Sequence, residues 1–166
     1  MATVRILGAA QEVTGSCHLV ESPALGKVLL DCGMHQGANS LKKIGREDFD
    51  FEPSDIDAVV LSHAHLDHSG LLPKLVSLGF KGPIYCADAT ADLLKIMLLD
   101  SINIYLGDLE RENRKLLRKG KSPLEPEYSE DDVHEVLSLC VTKNYNERFT
   151  LSEQAINTPN TAEASA

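Results

Sequence analysis

The sequence predicts an α/β domain, and three patterns within its 166 residues carry that reading. The apolar, β-branched run Ile56-Asp57-Ala58-Val59-Val60-Leu61 has the length and composition of a buried strand. Before it, three short strand patterns are separated by Gly, Pro and Ser, which reads as an opening β-meander. After it, stretches at 71–79, 88–119 and 129–140 repeat apolar residues at helical spacing.

Taken in order, Thr3-Val4-Arg5-Ile6-Leu7 alternates as a strand and ends in Gly8-Ala9-Ala10, small residues that permit close backbone approach. A loop from Gln11 feeds a second strand near Leu19, and Ser22-Pro23-Ala24-Leu25-Gly26 turns into a third, Lys27-Val28-Leu29-Leu30-Asp31. Residues 38–53 are polar and form a long connection bordering the site. Pro73 is tolerated only in the first turn of the 71–79 helix, which Gly79 ends. Gly82-Pro83-Ile84-Tyr85-Cys86-Ala87 is a further short strand. Asp88 or Thr90 can then cap a long helix with Leu93, Leu94, Met97, Leu98, Tyr105 and Leu109 on its apolar face, bent or divided at Gly107. Ser129-Glu130-Asp131-Asp132 has the capping-box pattern, ahead of a helix carrying Val133, Val136, Leu137 and Cys140. Phe149-Thr150-Leu151 is expected to begin another strand, and residues 157–166 a disordered tail.

Composition narrows the function classes. At 43 % hydrophobic content the chain suits one compact domain, without repeats or low-complexity tracts. No signal peptide or membrane span is visible, and Cys17, Cys32, Cys86 and Cys140 are too scattered for a disulfide framework, so a cytoplasmic protein with reduced thiols is expected. The formal charge of −9 excludes nucleic-acid binding by overall basicity but leaves room for a local groove. Arg111, Arg114, Lys115, Arg118, Lys119 and Lys121 crowd one segment, where interleaved Glu110 and Glu112 favour a solvated helix face over an RNA contact.

Chemistry concentrates in Ser62-His63-Ala64-His65-Leu66-Asp67-His68, directly after the 56–61 strand. A lone His at a strand end is usually a surface residue; three His and one Asp within six residues, followed by Ser69-Gly70, form a ligand cluster. His63 and His65, two apart in extended backbone, point the same way, and Asp67 and His68 face the same spot from the following turn. Imidazole and carboxylate together suit zinc or a similar divalent ion. Asp31 closes its strand before Cys32-Gly33; such an Asp often only caps a turn, and here it also suits orienting a ligand His from behind. Cys32 reads as packing, His35 as a loop residue near the cleft mouth, and His134 as structural or exposed.

The pattern H-x-H-x-D-H resembles the signature of the metallo-β-lactamase superfamily. That resemblance implies two Zn2+ ions, one held by His63 and His65 and the second by Asp67 and His68, with Asp31 behind a ligand His and Asp67 also positioning the attacking water. Leu7-Gly8-Ala9-Ala10-Gln11-Glu12-Val13-Thr14-Gly15-Ser16, Asp31-Cys32-Gly33-Met34-His35-Gln36-Gly37 and the run from Ala87 to Val133 resemble the β-CASP branch, whose members process nucleic acids. The implied activity is metal-assisted hydrolysis of RNA phosphodiester bonds, bacterial exonuclease-type members and the endonuclease subunit of the mRNA 3′-end cleavage complex both being among the nearest in pattern. The family continues into a Gly-His-x-x-Gly-Ser segment and a β-CASP insert, whereas no His follows His134 here. The resemblance therefore implies the N-terminal half of an αββα sandwich over residues 1–156, lacking the second half and the insert. RNA is then the expected substrate, with a complementing chain or a further copy of this chain as the partner and negligible turnover by these residues alone. The alternatives are a non-catalytic metal- or partner-binding domain and another hydrolase of the same fold, such as a thioesterase.

Overall fold

A computed structural model of the chain describes residues 1–11, 14–35, 49–146 and 148–151. The meander forms as the sequence predicts: β1 (Thr3–Ile6), β2 (Cys17–Ser22) and β3 (Gly26–Cys32) pair antiparallel in succession. Gly26, at φ 73°, makes the turn between β2 and β3, and a Cβ there would collide with the Asp57 carboxylate. The chain then crosses over, and β4 (Ala58–Val60), β5 (Ile84–Ala87) and β6 (Cys140–Lys143) add in parallel. The result is a mixed α/β fold on one six-stranded sheet ordered β1-β2-β3-β4-β5-β6.

Alternation along the strands separates two faces. Leu19, Leu29, Val59, Ile84 and Cys86 point to the main core, which the helices cover. Those helices are α1 (Leu66–Ser69), α2 (Leu72–Ser77), α3 (Asp88–Arg118) and α4 (Glu130–Ser138). Val28, Ala58 and Tyr85 form a smaller cluster on the opposite face, with Val60, Val141 and Leu151 packed on it. Lys74 of α2, almost fully buried, pairs with Glu127 at 3.5 Å and ties α2 to the segment ahead of α4.

Several expectations hold in detail. Pro73 lies in the first turn of α2, and Gly79 follows its C-terminus at φ 108°. Ser129 and Asp132 close a reciprocal capping box. Others are corrected. Asp67 and His68 sit inside the single helical turn α1 and not in an irregular turn before the helix. Neither Asp88 nor Thr90 caps α3, whose N-cap is Ala87 without a side-chain bond, and α3 runs unbroken through Gly107. Its buried stripe is Leu94, Leu98, Ile102, Tyr105 and Leu109, with Leu93 exposed. Cys140 starts β6 where a helix was expected, and no strand forms at Phe149, whose ring instead lies 5.0 Å from that of Tyr85. The expected long connection is described only from residue 49, where it ends in a 3-10 turn at Pro53–Asp55; the expected tail 157–166 lies outside the described residues. Among the described residues, no helix is long and apolar enough to cross a membrane.

Candidate metal centre

The histidine segment emerges from the C-terminal end of β4, a central strand, so its backbone starts from a rigid point. Leu61 extends the β5 ladder through its N–H to Tyr85 O (2.9 Å). His65 is extended at ψ 146° and caps α1, and the Ser69 hydroxyl donates back to Ala64 O and His65 O, each at 3.0 Å. Neighbouring strands hold this turn by its backbone: Ser16 N–H donates to Asp67 O (2.8 Å), Met34 N–H to Leu66 O (2.9 Å), and Leu71 N–H to Cys32 O (3.0 Å). Gly33 N–H donates to Ser16 O at 2.8 Å. A Cβ on Gly33 would stand 1.7 Å from Asp67 O, so only glycine lets the end of β3 pass beneath the motif.

Asp31 organises the polar side of this turn. It is 7 % exposed and has φ 60°, a left-handed conformation that Asp tolerates better than most residues. Its Oδ1 accepts from Ser62 N–H (2.8 Å); its Oδ2 accepts from the hydroxyls of Ser62 (2.9 Å) and Ser16 (3.3 Å) and meets His68 Nδ1 at 2.7 Å. Because the carboxylate already accepts at both oxygens, His68 Nδ1 is the donor in that contact. The lone pair of His68 then resides on Nε2, which faces Asp67 Oδ2 across 3.6 Å.

The remaining two rings meet separately. His63 Nε2 and His65 Nδ1 stand 3.2 Å apart, and the His63 ring lies 4.1 Å from that of His68. All four motif side chains therefore gather on one side of the turn, with His65 exposed and His63, Asp67 and His68 half-buried. Two donors on one tetrahedral zinc, each about 2.0–2.1 Å from it, are about 3.3–3.4 Å apart. The His63–His65 gap of 3.2 Å and the His68–Asp67 gap of 3.6 Å both lie near that edge length. In chemistry and pairwise spacing the donors fit a divalent ion. They fall short in number: among the described residues, no group of three or more His, Cys, Asp and Glu side chains is arranged to hold one metal ion.

Of the other sequence candidates, His35 packs its ring against Gly15, where a Cβ would come within 2.8 Å, and borders a small cavity with Leu7, Phe49, Phe51 and Leu71. It sits beside the motif and not among its donors. His134 is exposed on α4, 3.8 Å from Glu130. Ser16 and Ser62 are the polar residues that motif reading passes over; a serine directly ahead of the first His, one strand from a strand-end Asp, was the available signal.

The model of the metallo-beta-lactamase superfamily matches residues 10–137. Ribonuclease TTHA0252 of Thermus thermophilus is 48 % identical over 97 residues, covering 58 % of this chain and 22 % of that protein. Transcription termination factor FttA of Cenarchaeum symbiosum is 36 % identical over 141 residues, 84 % of this chain and 20 % of the relative. Probable RNase MJ4 of Methanocaldococcus jannaschii is 35 % identical over 141 residues, 85 % of this chain and 28 % of the relative. The chain thus spans from 20 % to 28 % of the length of these three relatives.

Proposed function

The chain belongs to the metallo-β-lactamase superfamily, and from that premise we propose that it carries the strand-end half of a zinc-dependent, β-CASP-type site for hydrolysing RNA phosphodiester bonds. The observation that carries this reading is the convergence of two donor pairs at tetrahedral-edge spacing, His63 with His65 and Asp67 with His68. The names of the relatives, two of them ribonucleases, favour RNA over lactam or thioester. When bound, a divalent ion supplies Lewis acidity toward a phosphoryl oxygen and makes a water acidic enough to ionise near neutral pH.

The chain's own residues have definable parts in this scheme. Asp31 holds the Nδ1 proton of His68, fixing the tautomer that exposes Nε2 to a ligand. Ser62 links Asp31 to both ends of the motif, since its Oγ lies 2.9 Å from Asp31 Oδ2, 3.0 Å from His63 Nδ1 and 3.3 Å from His68 Nδ1. Asp67, half-buried on α1 with its backbone carbonyl tied to Ser16, is the carboxylate that can both take an ion and orient a water. Two protein donors per ion are fewer than the three or four of a stable zinc site, so turnover by the 166 residues alone is expected to be small.

The test follows cobalt(II) uptake by its visible spectrum, and cleavage of end-labelled single-stranded RNA beside a thioester, with zinc or manganese added. Weak uptake and a trace of RNA cleavage, both lost in His65→Ala, with the thioester untouched, are expected. Faster thioester than RNA turnover, or no uptake by the parent chain, overturns the reading.

A further inference from the structure

Among the described residues, nothing buries the last third of α3. Its buried residues end at Leu109, and the segment 110–118 continues in helical conformation with none of its residues buried. Arg111, Arg114, Lys115 and Arg118 lie there at positions i, i+3, i+4 and i+7, one face of a helix. They line a groove of about 490 Å³ together with Asp108 and Glu112. The side chains of Arg111, Arg114 and Lys115 are 64 %, 59 % and 64 % exposed.

Beyond the helix the chain folds back. Asn113 donates to Leu124 O (2.9 Å) and accepts from Leu124 N–H (2.7 Å), while Lys121 N–H donates to Leu116 O (3.0 Å). This clasp keeps Lys119 and Lys121 beside the end of the basic face. Between residues 108 and 121 there are six Lys and Arg against three Asp and Glu, in a chain of net charge −9.

A solvated helix with intrahelical pairs explains part of this. Arg111 pairs with Asp108, Arg114 with Glu110 at 3.6 Å and Lys115 with Glu112 at 3.2 Å. Exposed pairs of this kind are weak and easily exchanged for another anion. A helix C-terminus attracts about half a unit of positive charge. The three remaining cations at 118, 119 and 121 exceed that need.

We propose that the basic face of α3, from Arg111 to Lys121, is a docking strip for the phosphate backbone of single-stranded RNA, a proposal that rests on the RNA-hydrolase reading above. Successive steps from Arg111 to Arg114/Lys115 to Arg118 rise by about 5 Å along the helix. That interval resembles the spacing of consecutive phosphates in an extended strand, and guanidinium groups suit phosphate oxygens by their fork geometry. No aromatic residue occurs between 106 and 127, so the strip offers charge without base stacking. Binding is therefore sequence-tolerant and steeply salt-dependent. β5 runs parallel to β4, so α3 starts at the sheet end that bears the histidines. Arg111 lies 23 residues further along α3, roughly 35 Å of helix. The strip grips the strand away from the phosphate that reacts.

The experiment measures binding of a fluorescent 20-nucleotide oligouridine to the 166-residue protein by anisotropy over a series of KCl concentrations. Parent protein is compared with Arg111→Gln/Arg114→Gln/Arg118→Gln and with a control, Lys81→Gln/Lys143→Gln, and circular dichroism checks the helix content of each. The triple variant is expected to keep its helix, to bind about tenfold more weakly at low salt, and to show a log–log salt slope shallower by about 2, as three lost single-strand contacts require. The control should match the parent. Equal affinity and slope for parent and triple variant, equal losses in triple variant and control, or binding of polyglutamate as tight as that of RNA would each overturn the strip. Cobalt(II) uptake is read on the same preparations: its absence breaks the functional reading while the binding comparison stands, and uptake with an unaltered salt slope breaks the strip alone.

Discussion

On the helix side of the sheet Leu19, Leu29, Val59 and Ile84 are at most 1 % exposed, whereas on the other side Val4 and Ile6 stand 64 % and 65 % exposed. Both faces carry apolar side chains, and Val28-Leu29-Leu30 in β3 is continuously apolar, as in strands covered on both sides. Among the described residues, the second face carries a small buried cluster of Val28, Ala58 and Tyr85, with Leu151 packed on it and the Phe149 ring beside Tyr85, while the β1 side chains Val4 and Ile6 are exposed. His18 projects there between Ile6 and Leu30, with its Nδ1 buried and lacking a hydrogen-bond partner among the described residues. Among the described residues, cohesion therefore comes mainly from one side. The candidate metal centre depends on that side, because its turn rests on Gly33, Cys32 and Met34 at the end of β3.

This asymmetry can be broken at chosen points. Gly33→Ala should act most strongly, because its Cβ has no space against the backbone of Asp67; a loss above about 4 kcal/mol in urea unfolding is expected, and one below about 1 kcal/mol would mean the motif turn shifts freely. Asp31→Asn keeps the shape and suits the left-handed backbone, but its amide cannot accept at both positions. It should cost about 1.5–3 kcal/mol and weaken cobalt uptake about 10- to 100-fold, and unchanged uptake would show that Asp31 only caps a turn.

A smaller effect is set by pH. Tyr105 and Tyr128 stack at 4.9 Å on the helix side, and burial holds both phenols above their usual range, Tyr128 further than Tyr105. The folded state thus keeps these protons longer than the unfolded state. Their contribution is fully present below about pH 10 and is lost as pH rises toward the folded values. Thermal melts that stay level above pH 10 in the parent, or that match those of Tyr128→Phe, would remove these phenols from the account. Least of all, Val4→Thr on β1, where the side chain is exposed, should change stability by less than about 0.5 kcal/mol. A loss like that of a core truncation, about 2–5 kcal/mol, would show by the same melt that the face is covered in solution.

The sheet was largely legible because its strands are short apolar runs bounded by Gly, Pro and Ser, and the motif was legible because its donors are contiguous. What escaped was local. Cys140 fits a helical repeat after Val133, Val136 and Leu137, and in space its Sγ does contact Val136 O at 3.4 Å, four residues back, as the next helical turn would. The backbone has already turned into β6 to pair with β5, a tertiary preference that periodicity does not record. α1 escaped because four residues are too few to show a period. The hub at Asp31 was visible as a strand-end carboxylate, but its partners Ser16 and Ser62 lie 15 and 31 residues away and become neighbours only through the β2–β3–β4 order.

That order bears on how the chain leaves the ribosome. Among the described residues, every strand lies beside the strand made just before it, so none of the six is inserted between two earlier ones. Synthesis proceeds at about 5–20 residues per second, leaving each new strand seconds to find an edge that already exists. The β3–β4 junction that aligns Asp31 with Ser62 lies wholly ahead of α3 in the sequence, so the residues that build it are joined to the chain first.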